Sequence, residues 1–364
     1  MHIISGDLWA GAEAMAYQLL SGLNKLDRID LYLIILNKGR LELSCRQLGI
    51  KTFLVNERTL PATAIAGRVI RIARKIKPDI IHAHRYKENI LAASMAGFCG
   101  RPKLVATQHG RSEADNPSFR NRIISRLNHA CLQRIFTEVV AVSKDTAEYL
   151  LHAGGLKQRK LTIIPNGITV PLTPRVMKDT GNDRPFTIGS AGRLFPVKRF
   201  DALIEIARQV CRVKSQTRFV IAGEGPERKK LMALIARYEL NEQVQLLGHV
   251  EDMPAFYNGL DLYINTSLHE GTPMSILEAM AGGLPVIAFR VAGLKEIITD
   301  SKDGFTIPAD DTILFASRII ELINNSKYLN ELGLSAYKKI IDHFSTTKMV
   351  EGYRALYYRM LRTA

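Results

Sequence analysis

The chain has 364 residues, of which 46% are apolar and 23% charged, and a formal net charge of +15. Such a length suits two domains of roughly 150–200 residues rather than one, and the composition excludes a disordered chain. The basic balance points to anionic partners (nucleic acid, acidic lipid or phosphorylated small molecules) or to solubility alone. Cys45, Cys99, Cys131 and Cys211 form no CxxC pair and have no histidine cluster beside them. They read as thiols of a reducing compartment, not as a disulfide frame or zinc site.

In chain order, the start MHIISGDLWAGAEA has no charged segment followed by an apolar run, so no signal peptide is expected. The first strand is confined to Met1–Ser5, before a turn over Gly6–Gly11. Helical patterns follow at Ala12–Asn24 and Ala64–Ile76, with strand-like runs at Asp30–Leu36, Asp79–Ala83, Lys103–Thr107, Glu138–Val142 and Leu161–Ile164. Thr169–Pro185 has no periodicity, contains Pro171, Pro174 and Pro185, and reads as an interdomain linker. Six further strand-like runs begin at Phe186–Ala191, Arg218–Ala222, Val244–Leu247, Leu262–Asn265, Pro285–Phe289 and Phe305–Ile307. Among and after these runs come helical patterns at Phe200–Val213, Glu227–Tyr238, Thr312–Asn324 and Leu329–His343. The alternation predicts an α/β fold with doubly wound parallel sheets, occurring twice. The most apolar window, Met274–Leu294, contains Glu278 and Arg290 and is not expected to span a membrane.

Asn265–Gly283 reads NTSLHEGTPMSILEAMAGG. A strand ends there and a helix starts, with Thr272 as its expected N-cap and Pro273 at the first helical position. The N–H groups of Met274, Ser275 and Ile276 are then expected to lack helical partners and to attract phosphate. Glu270 and Glu278 frame the turn. A carboxylate suits a ribose diol; a solvated surface pair is the alternative. Ser190–Arg199, SAGRLFPVKR, places Gly192, Arg193 and Lys198 after another strand, where two cations would neutralise a diphosphate. The AGEGP of Ala222–Pro226 allows close backbone approach at Gly223.

The stretch EGTPMSILEAMAGGLPVIA resembles the E-x7-E signature of family 4 of the retaining glycosyltransferases. GRLFPVK, GEGP, IPNGI (Ile164–Ile168), KPDIIHAH (Lys77–His84) and AVSK (Ala141–Lys144) resemble further blocks of that family, in the expected order over nearly the whole chain. The resemblance implies the GT-B fold, two Rossmann-like domains facing across a cleft: an acceptor-side domain over residues 1–168 and a sugar-nucleotide domain over 186–348. A final helix, 349–364, would pack back on the first domain.

The resemblance also implies roles. Glu278 would bind the ribose; Arg193 and Lys198 would hold the diphosphate. Glu270 and the backbone over Gly271–Ser275 would contact the sugar or its phosphate. Gly11 would approach the diphosphate or acceptor, although the usual glycine pair is here Ala10-Gly11. His109 would line the cleft, whereas His82 and His84 are expected to be structural. The co-substrate would be a nucleotide-diphosphate sugar, a UDP- or GDP-sugar. No DxD element is present, so no metal is expected. A non-catalytic sugar-nucleotide-binding subunit and an epimerase on the same fold are the rival functions.

For the acceptor, a glycan or lipid-linked molecule is expected. Arg111–Arg134 mixes five arginines with apolar residues at helical spacing. It reads as a helix packed on its own sheet or as a peripheral contact with an anionic membrane. Nucleic acid is not an expected partner, because the basic residues are scattered. The protein is expected to be cytoplasmic, on the inner face of the membrane if peripheral.

Overall fold

The computed structural model describes residues 1–6, 11–110, 119–174 and 184–362, the side chains of 119–121 excepted. Two compact units form, Met1–Gly167 with Ser345–Ala364, and Ile168–Phe344. Residues 175–183, most of the expected linker, lie outside the described residues. Among the described residues, no helix is long and apolar enough to cross a membrane.

The first unit holds β1 (His2–Ile4), β2 (Tyr32–Ile35), β3 (Lys51–Leu54), β4 (Ile80–Ala83), β5 (Lys103–Gln108), β6 (Glu138–Ala141) and β7 (Leu161–Ile163). They form one parallel sheet in the order β3-β2-β1-β4-β5-β6-β7. Ile3, Ile34, Ile81, Leu104 and Val139 are buried in its core, as expected for strands covered on both faces. Helices α1 (Gly11–Leu23), α2 (Arg40–Gln47), α3 (Ala62–Ile76), α4 (Tyr86–Met95), α5 (Phe119–Arg134) and α6 (Lys144–His152) connect the strands. Residues 111–118 of the expected arginine-rich helix lie outside the described residues. Within α5, Leu132 is buried, while Ile123 and Leu127 are exposed.

The second unit holds β8 (Thr187–Ala191), β9 (Arg218–Ala222), β10 (Val244–Gly248), β11 (Leu262–Asn265), β12 (Val286–Phe289) and β13 (Phe305–Ile307), in the parallel order β10-β9-β8-β11-β12-β13. Its helices are α7 (Phe200–Val213), α8 (Arg228–Arg237), α9 (Met253–Asn258), α10 (Met274–Ala281), α11 (Thr312–Ile323) and α12 (Ser326–His343). Bidentate donation from Arg184 to the Asp261 carboxylate, which also accepts from Thr187 N–H at 2.8 Å, ties the start of β8 to β11.

The last helix, α13 (Thr346–Arg362), belongs to the first unit. It lies on α1, where Gly22 leaves room for Val350: a Cβ at Gly22 would come within 2.3 Å of it. Its Tyr353 and Tyr357 hydroxyls reach Thr107 and His82 at 2.8 and 2.6 Å.

Strand β3 and helices α2, α4, α6 and α9 were not expected from sequence. The reason is clearest in α4, which turns Glu88 and Asn89 inward. Its buried stripe therefore carries no apolar period.

Candidate active site

Both sheets reverse strand order between neighbours: between β1 and β4 in the first, and between β8 and β11 in the second. Open α/β sheets bind ligands at the carboxyl ends of strands beside such a switch point. In the second unit that edge gathers most of the residues singled out by sequence.

Lys198 sits at the end of a 3₁₀ turn, Pro196–Lys198, that follows β8. Its Nζ donates to Glu270 Oε1 at 2.6 Å, and the same oxygen accepts from Ser267 Oγ at 2.6 Å and Asn265 Nδ2 at 3.2 Å. The two loops are pinned together through backbone as well. Thr266 Oγ1 donates to the carbonyls of Lys198 and Arg199, and Leu268 N–H donates to Val197 O at 2.9 Å. Lys198 and Glu270 are thus held in place by the protein's own contacts. Arg193 is exposed, its guanidinium 4.9 Å from the Phe195 ring centre.

Glu278 lies within α10, where its Oε2 accepts from the Tyr257 hydroxyl at 2.7 Å. Burial raises its carboxyl above the ordinary range, and the tyrosine hydrogen bond partly opposes that. Burial also pushes the Tyr257 hydroxyl well up. Nearby Tyr263, fully buried, accepts from Ala191 N–H at 3.1 Å and so joins β11 to the end of β8.

The expected helix start needs correction. Helix α10 begins at Met274 with Pro273 as its N-cap and no side-chain cap bond. Pro273 has ψ 113°, an extended conformation, so the helix starts one residue later than Thr272 predicts. The Ile276 N–H is also not open: it donates to Pro273 O at 3.2 Å. Met274 and Ser275, the first two helical positions, keep N–H groups with no intrahelical acceptor. The Ile276 side chain is fully buried.

The close backbone approach expected at Gly223 is present, and it is made to Gly192. Gly223, at φ 149°, packs on Gly192: a Cβ there would lie 1.9 Å from the Gly192 carbonyl oxygen. Gly192 N–H donates to Ala222 O and Leu194 N–H to Glu224 O, each at 2.9 Å. The loops after β8 and β9 therefore close on one another, which makes Gly192 and Gly223 a mutual fit. Sequence reading missed Gly293, in the 3₁₀ turn Ala292–Leu294. A Cβ there would fall 2.1 Å from the carbonyl oxygens of both Glu270 and Gly271.

In the first unit the carboxyl edge holds Gly11, exposed at the first position of α1, and His109 just beyond β5. Ala10 lies outside the described residues. Both His109 ring nitrogens are buried without a hydrogen-bond partner among the described residues. Burial, with His84 and Arg85 nearby, holds its imidazole well below the usual range, so it is neutral at pH 7. Glu88, unnoticed in sequence, accepts from Ser5 N–H and Ser5 Oγ, both at 2.6 Å, through Oε1. Arg85 pairs with buried Glu13 at 2.6 Å.

His2, His82 and His84 bring ring nitrogens within 4.8 Å of one another, a spacing a metal ion can bridge. Apart from His84 Nδ1, the nitrogens are already committed, however. His82 contacts Tyr357 and Thr107 at 2.6 and 2.7 Å, and His2 Nδ1 lies 3.0 Å from His84 Nε2. Burial pushes His84 down to about 3. The cluster is a polar seam beneath α13.

Two doubly wound parallel-sheet units, the second with a lysine–carboxylate site at its switch point, are those of a GT-B glycosyltransferase. Residues 9–170 match Glycosyltransferase Family 4, and residues 175–339 match Glycosyl transferases group 1. The chain belongs to family 4 of the glycosyltransferases. UDP-Gal:alpha-D-GlcNAc-diphosphoundecaprenol alpha-1,3-galactosyltransferase of Escherichia coli is 26% identical over 305 residues, 80% of this chain and 78% of that protein. N-acetyl-alpha-D-glucosaminyl L-malate synthase of Bacillus anthracis is 23% identical over 315 residues, 82% of this chain and 79% of that one. The crystal structure of Anabaena HepE with UDP-glucose matches the fold at a TM-score of 0.85 and 21% identity, over 98% of each chain.

Proposed function

We propose that this glycosyltransferase moves a sugar, with retention of anomeric configuration and without a metal, from a nucleotide-diphosphate sugar to a glycan or lipid-linked acceptor of cell-surface polysaccharide or glycolipid assembly. The observation that carries the reading is the Lys198–Glu270 pair, preset beside the start of α10 at the second switch point. The E. coli relative's name gives UDP-galactose as donor and a diphosphoundecaprenol-linked sugar as acceptor, and HepE was solved with UDP-glucose. UDP-sugars are accordingly the donors to try first, with GDP-sugars next.

On this reading Lys198, Arg193 and the N–H groups of Met274 and Ser275 surround the diphosphate, and Glu278 accepts from the ribose hydroxyls. The acceptor hydroxyl attacks the anomeric carbon on the face the diphosphate leaves. The carbon–oxygen bond to phosphate breaks, and the acceptor proton passes to the departing phosphate oxygen. Negative charge grows on that oxygen in the transition state, so cations fixed beforehand stabilise it more than the ground state. The same cations would take the electrostatic role of a metal. Neutral His109 would contribute a hydrogen bond rather than a charge. Exposed Ile123 and Leu127, beside Arg122 and Arg126 on α5, would rest on an anionic membrane surface near a lipid-linked acceptor.

A thermal-shift panel of UDP-, GDP-, ADP- and CDP-sugars on wild type and Glu278→Ala tests the donor site. One nucleotide class should stabilise the wild type, by roughly 2.7 kcal/mol at a hundredfold excess over Kd, and should fail with the variant. No shift with any class overturns the assignment. A shift without glycosylated product would mark a non-catalytic subunit. Activity abolished by EDTA and restored by magnesium would overturn metal independence.

A further inference from the structure

The first unit carries a concavity of mixed apolar and charged lining at the opposite edge of its sheet from His109. A cavity of about 490 Å³ opens where β4 and β5 begin, within the rough 300–1,000 Å³ range of small-molecule sites. Arg74, Lys77, Arg101 and Lys103 line it, against a single carboxylate, Asp79. None of the four cations has an ion-pair partner among the described residues. Arg74 Nε donates to the Phe98 carbonyl at 2.9 Å, which fixes its guanidinium at the wall.

Part of this charge has an ordinary explanation. Arg74 and Lys77 stand at the carbonyl end of α3, where cations offset the helix dipole. Arg101 lies three residues past the 3₁₀ turn Ala96–Phe98 that ends α4, and Lys103, the first residue of β5, has no helix end beside it. Arg101 is held in a left-handed conformation, φ 55°, directly after Gly100 at φ 81°. A non-glycine residue there is strained and persists only when its surroundings fix it. At the rim, Phe98 is 59% and Leu361 42% exposed. Four like charges in one concavity repel, and a bound anion removes the repulsion. Guanidinium groups match phosphate oxygens in bidentate fashion, with lysine as an added point charge.

The geometry points to a phosphate-binding site in this cavity, separate from the donor site, that takes the phosphate group either of a lipid headgroup or of a soluble phosphate. The inference does not depend on the transferase reading, since every lining residue lies in the first unit.

The test uses the full chain and three proteins: wild type, Arg101→Gln/Lys103→Gln, and a control, Lys229→Gln/Arg237→Gln, that removes equal charge from exposed positions of α8. Arg74 is left intact because its carbonyl contact is structural, and unchanged thermal melts confirm folding. One probe is phosphatidylcholine vesicles with and without phosphatidylglycerol; the other is inorganic phosphate and pyrophosphate, against chloride of equal ionic strength. A headgroup ligand predicts that the pocket variant loses about 25-fold in partition to the phosphatidylglycerol vesicles, roughly fivefold per charge, while the control keeps wild-type binding. A soluble ligand predicts instead that pyrophosphate or phosphate stabilises wild type and control but not the pocket variant. Equal behaviour of pocket variant and control with both probes overturns the site.

Discussion

The two switch points solve the same topological problem in opposite ways. In the second unit the two carboxylates at the carboxyl edge are satisfied from within, Glu270 Oε1 by three donors and Glu278 Oε2 by Tyr257, while His269 Nε2 alone of that loop is buried without a partner among the described residues. At the corresponding edge of the first unit, Glu88 Oε2, Asn89 Oδ1, His84 Nδ1 and both His109 nitrogens are buried without hydrogen-bond partners among the described residues. An unmet buried polar group costs about 1–3 kcal/mol. One edge is therefore built to hold a charge distribution steady. The other leaves more of its hydrogen-bonding capacity unmet among the described residues.

The largest expected effect bears on the preset edge. Lys198→Ala should lower kcat on the order of 10²–10³-fold, the scale seen when one transition-state donor is removed, with a much smaller change in melting temperature. An activity loss that merely tracks unfolding would show the pair to be structural. Glu278→Gln should weaken nucleotide-sugar binding by roughly 1.5–3 kcal/mol, the range for hydrogen bonds to charged groups, as read by calorimetry.

The same variant has a pH signature. Glu278 binds its proton more tightly in the folded chain than its ordinary value of 4.5 allows. Its contribution to stability is therefore most favourable below 4.5 and is lost as pH rises through the raised folded value. Glu278→Gln should flatten that part of the stability–pH curve, and a slope unchanged by the substitution would remove Glu278 as its source.

Gly223→Ala sets a Cβ against the Gly192 carbonyl in a backbone conformation side chains rarely adopt. It should destabilise by about 1–3 kcal/mol in denaturant titration, and a neutral result would mean that the two loops can separate freely. The smallest stability effect is expected at the other edge. His109→Phe removes two unpartnered nitrogens, so melting temperature should hold or rise while turnover falls. A clear loss of stability would mean that His109 is a satisfied core residue, and the contrast between the edges would weaken.

Much of this architecture is legible in the amino-acid order, for a physical reason. Strands buried on both faces must be continuously apolar, and runs such as Phe219–Ala222 announce themselves. Elements whose inward face is polar do not, which hides α4 behind Glu88 and Asn89. Short edge strands such as β3, half exposed, hide as well. At the site, Glu270, Glu278 and Lys198 stand out by motif. That Lys198 meets Glu270 across 72 positions, or that Tyr257 caps Glu278 from 21 positions upstream, is a property of strand order, which local spacing does not encode. The one-residue shift at Thr272 comes from Pro273, whose ring fixes φ but leaves ψ free to stay extended.

Helix α13 has a consequence for how the molecule is made. The first unit's buried seam takes its hydroxyls from Tyr353 and Tyr357, close to the end of the chain. On the ribosome, His82 and Thr107 must wait for some 250 further residues before those partners emerge, whereas the second unit, Ile168–Phe344, is contiguous and can close as soon as it is synthesised. The half of the protein that begins first is finished last, and a ribosome that stops short of residue 346 releases a chain whose second sheet is whole and whose first has an uncovered polar face.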